Sequence, residues 1–456
     1  MENLASVVLL LFTPLFGGGC DEVVITSAQI SPGDANHEAS DPSTSKTIDV
    51  LTESASSGLD NEVVDGRSSD LVTGQPNGPA KVFGCLEYLG AFRIKQGDIA
   101  RDLSAATTLI APHPDGKRLY LATGRAQSAT RVYIIDVPEP SLLDPHADPN
   151  QTPSVPCPDQ RFEVLSDYVA NANQGFSSGL SGMCCAEGRL FLNFARGYHV
   201  QGDIVPSLAE YDPHTLQRIS PFKTMDRKTF TGQHPSDPNG RLTPLAGTPL
   251  AKYGDFLARA SWLDKAYGPR QSILRVSGDS LLWSKLIYYT GDCQHSLATN
   301  YMSDGSGVFI DDYFVWPHRN GVGGWYGMAD GTDGFGNFVA KPENWIPDMS
   351  QPDKGHHASP VHAYLAFAQA KELIEVCEGT RLASDVNITF EDITSILWDT
   401  SVDSEGRTQS RCRICTSLIR QRDLFYLAEA KADRTGEFYE HTPVIHVFKE
   451  QKEPAN

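Results

Sequence analysis

Short β-rich segments bounded by Gly, Pro and Asp recur along this chain from residue 81 onward, and this recurrence limits its fold more than any other feature. The clearest copy joins residues 114–122, which open on Pro-Asp-Gly, to the apolar segment 131–137. Other copies lie at residues 186–193 with 207–212, 253–260 with 272–277, 308–316, and 422–428 with 443–448, and residues 359–367 are a further candidate. Such runs predict strands, and self-similarity over tens of residues predicts a radial or stacked repeat. The body is therefore expected to be all-β.

The copy that runs from residue 112 to residue 122, together with Tyr-Ile-Ile-Asp at 133–136, resembles the repeats of bacterial YVTN-type β-propellers. The resemblance implies a β-propeller over residues 81–456, with six or seven blades and inserted loops, because the copies are spaced more widely than compact propeller repeats. Ring closure would pair residues 82–94 with residues 444–448. Two β-sandwich domains are the alternative architecture.

One segment of the body has the composition of a helix. Residues 363–376 contain Ala, Leu, Lys and Glu, with Lys371 and Glu375 four positions apart. That spacing supports a helix, which could replace strands in this segment.

The N-terminal residues 1–19 predict a lipoprotein signal peptide. The apolar run at residues 4–16 is shorter than the roughly 20 residues that a membrane-spanning helix needs. It is followed by Gly-Gly-Gly-Cys, which resembles the lipobox of bacterial lipoproteins and implies that Cys20 carries the lipid, such as palmitate. The first three residues contain no Lys or Arg, and Gly17 replaces the usual Leu. The alternative is a cleaved signal peptide with Cys20 in a disulfide.

Residues 20–80 predict a disordered acidic linker behind the lipidated cysteine. From residue 21 to residue 80 there is no aromatic residue, and Lys46 and Arg67 are the only Lys or Arg. Such a segment cannot bury enough apolar surface to offset its ordering entropy. The chain has a net charge of −19 and no basic cluster, which excludes a nucleic-acid partner. We expect a protein of the cell envelope, lipid-anchored to a bacterial membrane and facing the periplasm or the exterior.

Eight cysteines remain once Cys20 is set aside, and an even number in an oxidising compartment favours disulfide bonds, up to four. Cys412 and Cys415 have redox-motif spacing, but no βαβ pattern surrounds them. Cys184 and Cys185 are expected to form two separate bridges to distant partners, because a bridge between neighbours is strained. The eight residues are Cys85, Cys157, Cys184, Cys185, Cys293, Cys377, Cys412 and Cys415.

A group of three histidines and one acid is the candidate site for a divalent metal. Asp353, His356, His357 and His362 lie close together in sequence, and neutral imidazoles are good ligands for zinc, copper and iron. In the propellers that this chain resembles, metals lie in the central channel, which makes His113, His295 and His318 further candidates. Solvated loop histidines are the alternative interpretation.

The stretch from residue 316 to residue 337 combines aromatic residues, Arg, Asn and many glycines, which is the composition of a carbohydrate or peptide platform. A long inter-blade loop packed by its own aromatics is the alternative. The candidate ligand contacts are Trp316, His318, Arg319, Asn320, Trp325 and Tyr326. We expect a binding platform for an envelope protein, a peptide or a glycan. No Gly-x-Ser-x-Gly, P-loop or His-Glu-x-x-His motif is present, and no catalytic residue is identified. A lactonase-type hydrolase or a metal-dependent enzyme remains the alternative function.

Overall fold

Antiparallel β-strands make up nearly all the regular structure of the chain in the computed structural model. The structure describes residues 81–82, 86–94, 107–124, 131–140, 154–155, 161–164, 178–196, 204–226, 241–259, 271–287, 302–321, 361–393, 396–397, 414–433 and 442–451. Among these residues, no helix has the length and apolar character needed to cross a membrane. The prediction of an all-β body is confirmed.

The strands are numbered in chain order. Their bounds are β1 Lys81–Val82, β2 Leu86–Ile94, β3 Thr107–Pro112, β4 Arg118–Gly124, β5 Arg131–Asp136, β6 Ser154–Val155, β7 Arg161–Glu163, β8 Ser178–Ala186, β9 Arg189–Arg196, β10 Ile204–Tyr211, β11 Lys223–Asp226, β12 Leu242–Pro244, β13 Phe256–Ala258, β14 Gln271–Ser277, β15 Ser280–Ile287, β16 Met302–Asp304, β17 Val308–Ile310, β18 Tyr313–Gly321, β19 Val361–Gln369, β20 Thr389–Asp392, β21 Ile414–Gln421, β22 Leu424–Asp433 and β23 Thr442–Glu450. Helix α1 spans Ala370–Cys377, and a 3-10 turn spans Ala383–Asp385.

These strands form five antiparallel units of four strands each within the described residues. The first unit is β3-β4-β5-β7, the second β8-β9-β10-β11 and the third β12-β13-β14-β15. In the fourth unit β16 and β17 together form the first strand, followed by β18, β19 and β20. The fifth unit is β21-β22-β23-β2, so its last strand comes from the N-terminal part of the body. The second and third units are joined by a short parallel pairing of β11 with β15.

The first strands of the five units contact one another in a closed cycle. β3 lies against β8, β8 against β12, and β21 against β16, β17 and β3. The remaining link joins the third and fourth units, where the Thr243 hydroxyl donates to the carbonyl of Gly307 at 3.1 Å and the Gly307 amide donates back at 2.9 Å. This arrangement is β-propeller-like.

The predicted pairing of the terminal strands is confirmed, because β2 and β23 form an antiparallel ladder in which Phe92 lies opposite Ile445. Both side chains are fully buried. Main-chain hydrogen bonds and apolar packing therefore hold β2, from the N-terminal part of the body, in the same unit as the C-terminal strands β21, β22 and β23.

Five apolar clusters fill the spaces between neighbouring units, one for each pair. Leu109 and Phe194 belong to the cluster between the first and second units. The other clusters lie between the second and third units, the third and fourth, the fourth and fifth, and the fifth and first. Each sheet therefore buries both of its faces, which explains why many of its strands read as nearly continuous apolar runs rather than alternating ones.

The described strands supply five units, whereas the sequence predicts six or seven blades. The difference arises in the fourth unit, where residues 308–316 and 359–367 looked like separate copies. In the structure β18 and β19 pair within one sheet, with Trp316 opposite Ala366. Residues 322–360, which lie between these two strands in sequence, are outside the described residues.

The helix expected at residues 363–376 begins only at Ala370. Residues up to Gln369 belong to β19, whose alternate side chains enter two different cores: Leu365 packs between the fourth and fifth units and Ala366 between the third and fourth. Burial of both faces between β18 and β20 overrides the helix propensity of this Ala-rich segment. The helix forms where the chain leaves the sheet.

Three cysteines that the sequence assigned to disulfide bonds are free thiols: Cys184, Cys185 and Cys377. That prediction is wrong for these residues. Cys184 and Cys185 are consecutive in β8, so their side chains point to opposite faces, and Cys184 packs in the core between the second and third units. Burial raises the pKa of Cys185 and of Cys377 to about 11, so both thiols stay protonated near neutral pH.

The Pro-Asp-Gly turn between β3 and β4 shows how the local sequence shapes one end of the ring. Asp115 Oδ1 accepts the amide N–H groups of Lys117 at 2.8 Å and Arg118 at 3.1 Å, and Gly116 adopts a φ of +70°. Side-chain acceptance of this kind is typical of Asx turns. The Gln421 side chain, at the end of β21, donates to the carbonyl of Arg118 at 2.9 Å and so ties this turn to the fifth unit.

Turns of neighbouring units meet at the same end of the ring, which we call the short-turn end. Tyr120 of the first unit donates to the carbonyl of Pro213 in the second unit, and within the fourth unit the Ala370 amide donates to the carbonyl of Asp312. This end carries residues 113–117, 187–188, 212–222, 245–255, 278–279, 311–312, 370–388 and 422–423. The opposite end, which we call the long-connection end, is joined by residues 95–106, 125–130, 165–177, 197–203, 227–240, 260–270, 288–301, 322–360, 398–413 and 434–441.

Candidate functional site

The two sites predicted from sequence lie at the two ends of one connection. β18 ends at Gly321 and β19 begins at Val361, and both of these residues are at the long-connection end. Asn320, a predicted ligand contact, lies directly opposite His362, a predicted metal ligand, in the β18–β19 ladder. The tertiary structure thus brings together two candidates that the sequence treats as separate sites.

For Arg319, another predicted ligand contact, the structure describes only the backbone position. Arg319 is on β18 opposite Ala363. Residues outside the described part of the chain are Cys20, His295, Trp325, Tyr326, Asp353, His356 and His357. Among the described residues, no group of three His, Cys, Asp or Glu side chains is arranged to hold a metal ion.

Trp316 and His318 are fully buried between the third and fourth units. The Trp316 ring stacks on Phe314, with ring centroids 5.1 Å apart and an interplanar angle of 18°. The His318 ring packs against Phe390 at 4.9 Å between centroids. Both side chains therefore face the core below the long-connection end rather than solvent.

A row of three buried polar side chains crosses the third unit at the long-connection end. Arg241 immediately precedes β12, Arg259 immediately follows β13, and Gln271 begins β14. Their exposed fractions are 6%, 2% and 2%. The Arg259 amide donates to the carbonyl of Arg241 at 3.3 Å, so the antiparallel register continues through this pair. One further step of the β13–β14 register, in which Ala258 lies opposite Ser272, places Arg259 opposite Gln271.

All three side chains of this polar row belong to the face that meets the fourth unit. Alternation along the strands puts their neighbours Leu242 and Ala258 in the core with the second unit. Leu257 and Ile273, two positions away from Arg259 and Gln271, pack in the core that contains Trp316. The polar row therefore lies on the wall opposite β18.

The long-connection end of β18 faces this row at a similar height in the ring. Thr243, which bonds to Gly307, lies two residues below Arg241 on the same strand. In the fourth unit, Asp304 precedes Gly307 and lies opposite His318 in the β16–β18 ladder. Arg241 and His318 are thus near the same end of the space between two units.

The polar row is rich in hydrogen-bond donors. A guanidinium presents five N–H donors, accepts none and stays charged at every physiological pH. Within the described residues, Nε2 of Gln271 has no hydrogen-bond partner although it is buried. Guanidinium groups in a protein interior favour oxygen atoms and negative charge nearby. Such an arrangement can bind an anion or several ligand oxygens.

Sequence analysis did not single out the polar row. Arg241 follows a Gly and lies in a region without a strong strand pattern, and Arg259 interrupts the apolar run Phe-Leu-Ala. An arginine inside such a run is the one available signal, since arginine is rarely buried without a role. Only the register of three strands separated in sequence places these residues side by side.

A second buried polar cluster lies in the fifth unit. His446 Nε2 is 2.9 Å from Glu429 Oε2, and its Nδ1 is 3.1 Å from the Tyr88 hydroxyl. Burial, followed by the charge of Glu429, raises the pKa of Tyr88, so the phenol remains a neutral hydrogen-bonding group. These residues come from β2, β22 and β23, which places the cluster across the ring-closing ladder.

Comparisons with known proteins leave the family open. No protein-family model matches the chain, and no curated protein matches it. Among solved structures, the chain is similar to a candidate glycoside hydrolase from Parabacteroides distasonis, with 11% identity, 82% of this chain and 97% of that chain covered, and a TM-score of 0.41. It is also similar to the PQQ-bound aldose sugar dehydrogenase from Streptomyces coelicolor, with 11% identity, coverage of 80% and 98%, and a TM-score of 0.31. Likenesses at this level carry no functional argument.

Proposed function

We propose that this chain is a lipid-anchored protein of the bacterial cell envelope whose body, a five-bladed propeller, binds a ligand at its long-connection end. The ligand is a protein, a peptide or a glycan of the envelope or its surroundings. The anchor is the lipid on Cys20, and residues 20–80 are the spacer between membrane and body.

The observation that carries the binding proposal is the difference between the two ends of the ring. The short-turn end has two-residue turns at 187–188, 278–279, 311–312 and 422–423 and longer segments at 212–222, 245–255 and 370–388. Gln421 ties the turn at residues 113–117 to the fifth unit. At the other end, long connections leave every unit, including residues 322–360 with their aromatic and glycine-rich start. Loops held on a rigid scaffold are where binding residues concentrate. The Asn320–His362 pair and the polar row lie at this end.

The anchor is tested by the Cys20→Ser variant expressed in a bacterial host. We expect the unaltered chain to incorporate labelled palmitate and to sediment with membranes. The variant should lose the label and appear in the soluble fraction. Equal membrane association of both chains, with no label in either, would show that Cys20 is not lipidated.

Ligand binding is tested on glycan and peptide arrays with the mature chain carrying Cys20→Ser. The Trp325→Ala, Tyr326→Ala double variant should lose the signal. Lys117→Ala, an exposed position in a turn at the short-turn end, is the matched control and should bind normally. Retention of full binding by the double variant would remove these aromatic residues from the ligand surface.

A divalent metal at the same end is the second candidate, proposed from the closeness of Asp353, His356, His357 and His362 in the sequence. Elemental analysis by ICP-MS of untagged protein should find stoichiometric zinc, copper or iron that falls in the His356→Ala, His357→Ala, His362→Ala variant. That result would favour a metal-dependent enzyme. A protein without metal before and after substitution would leave the binding platform as the proposal.

A further inference from the structure

We propose that Asn387 is a site of N-linked glycosylation, and that its side-chain amide receives an oligosaccharide from a lipid-linked donor. Asn387, Ile388 and Thr389 form the Asn-x-Thr sequence that oligosaccharyltransferases recognise, with no proline at the middle position. Asp385 supplies an acid two positions before the asparagine, as bacterial enzymes of this class prefer. The inference rests on the export of the chain, which is part of the proposed function, because the transfer takes place outside the cytoplasm.

The segment around Asn387 presents the acceptor sequence to solvent. It connects the 3-10 turn to β20, and its first residue, Val386, has an extended backbone with a φ of −68° and a ψ of 124°. Val386 and Ile388 are buried and hold the segment against the core between the third and fourth units. Asn387 and Thr389, which alternate with them, are exposed. The amide and the hydroxyl that the transfer requires are therefore both accessible from solvent.

The hydrogen bonds of Asn387 are compatible with an attached glycan. Its backbone amide donates to Oε2 of Glu372 at 2.7 Å, and its side-chain nitrogen Nδ2 donates to Oε1 of the same carboxylate at 2.6 Å. A carboxamide nitrogen carries two N–H groups. Attachment of a glycan replaces one of these hydrogens, so the other can keep the bond to Glu372. The loop therefore does not have to unfold to carry the modification.

The transfer forms one bond and breaks one bond. The donor is an oligosaccharide linked through its anomeric carbon to a polyprenyl diphosphate. Nδ2 of Asn387 attacks this carbon, and an N-glycosidic bond forms as the bond from the carbon to the phosphate oxygen breaks. The lipid diphosphate leaves with the electron pair, and the nitrogen loses one proton. The reaction needs no oxidant or reductant.

The position of Asn387 leaves the proposed ligand face clear. Thr389, at the start of β20, lies opposite Phe367, near the end of β19 that reaches the short-turn end. An oligosaccharide on Asn387 therefore extends from the end of the ring opposite the long connections. A glycan is bulky and solubilising, and Leu382 in the same loop is 68% exposed. The modification adds a solvated group to a loop that exposes an apolar side chain.

The test is mass spectrometry of the full chain purified from the envelope of its native host. Trypsin releases residues 382–407, in which Asn387 is the only residue with a carboxamide side chain. Asn387→Gln keeps a carboxamide but moves it by one methylene. Thr389→Val keeps Asn387 and removes the required hydroxyl. Thr389→Ser is the matched control, because it retains a hydroxyl.

We expect the peptide of the unaltered chain and of Thr389→Ser to carry the added mass of an oligosaccharide. The added mass should be lost in Asn387→Gln and in Thr389→Val. Near-native circular dichroism would show that a variant is folded. Thr389→Val leaves the bonds between Asn387 and Glu372 in place, so it tests the inference if Asn387→Gln does not fold.

The outcomes separate this inference from the proposed function. An unmodified peptide from a chain that carries lipid on Cys20 would overturn the inference and leave the proposed function intact. Added mass that persists in Asn387→Gln would place the sugar on a hydroxyl and would also overturn it, as would a glycan confined to Asn150, the asparagine of the other Asn-x-Thr sequence. A glycan on Asn387 of a chain without lipid would support the inference while the anchor fails.

Discussion

The hydroxyl of Thr416 donates a hydrogen bond to the backbone carbonyl of Thr108, which joins the first strand of the fifth unit to the first strand of the first. Both residues are fully buried. Beside it, the Ser306 amide donates to the carbonyl of Thr416, which links the fourth unit to the fifth. The centre of the ring is therefore held by hydrogen bonds between inner strands as well as by apolar packing between sheets.

Replacement of this hydroxyl should weaken ring closure. Thr416→Val keeps the side-chain shape but leaves the buried Thr108 carbonyl without this donor, which costs about 1–3 kcal/mol. Urea unfolding followed by circular dichroism measures the loss. Thr389→Val, at an exposed position of β20, is the control and should change stability by less than about 0.5 kcal/mol. Equal effects of the two substitutions would contradict the closing role of Thr416.

Gly307 should not tolerate a side chain. A Cβ at this position would collide with the carbonyl oxygen of Val315 and approach the ring of Phe314. Because backbone must move to relieve the collision, Gly307→Ala should cost about 1–3 kcal/mol in the free energy of unfolding. Gly379→Asn is a suitable control, since nothing lies near that position and Asn accepts its positive φ. Wild-type stability of Gly307→Ala would argue against the close approach of these strands.

The Tyr88–His446–Glu429 cluster should behave as one coupled unit. Tyr88→Phe removes one hydrogen bond to His446 and should cost about 1 kcal/mol, while Glu429→Gln removes a charged partner and should cost more. Groups that share a histidine are expected to show a coupling energy above about 0.5 kcal/mol in a double-mutant cycle. Strictly additive effects of the two substitutions would show that the hydrogen bonds are independent.

The stability of the short-turn end should fall as the pH drops below about 6.5. Burial lowers the pKa of His113, although Asp115 opposes this effect. A histidine whose pKa is lower in the folded than in the unfolded chain binds fewer protons when folded. Its contribution to stability is therefore complete above the unfolded pKa. It is lost as the pH falls from the unfolded pKa towards the folded pKa. His113→Gln should show a smaller loss of unfolding free energy between pH 7 and pH 5. An equal loss in both chains would show that His113 does not set this pH dependence.

The free thiols should be countable in the purified protein. After unfolding in guanidinium chloride without reductant, alkylation and mass spectrometry should label Cys184, Cys185 and Cys377. In the folded protein the buried Cys184 should react slowest, because burial raises its pKa well above the usual range. Detection of any of these three residues in a disulfide-linked peptide would contradict the structure.

The sequence by itself determined the strand content and several pairings of this protein. The Pro-Asp-Gly turn before β4 and the apolar strand β5 are local patterns, because turn chemistry and strand propensity act over a few residues. Closure of β2 with β23 also followed, since a repeat that ends without its last strand needs one from the other terminus. The anchor at Cys20 remains a prediction from local sequence.

The tertiary structure decided what depends on register between distant strands. It joined residues 308–316 and 359–367 in one sheet, left Cys184 and Cys185 on opposite faces, and aligned Arg241, Arg259 and Gln271 in a row. No local pattern encodes these relationships, because a shift of one residue in register moves every side chain to the other face of the sheet. The polar row could not be identified from the sequence for that reason.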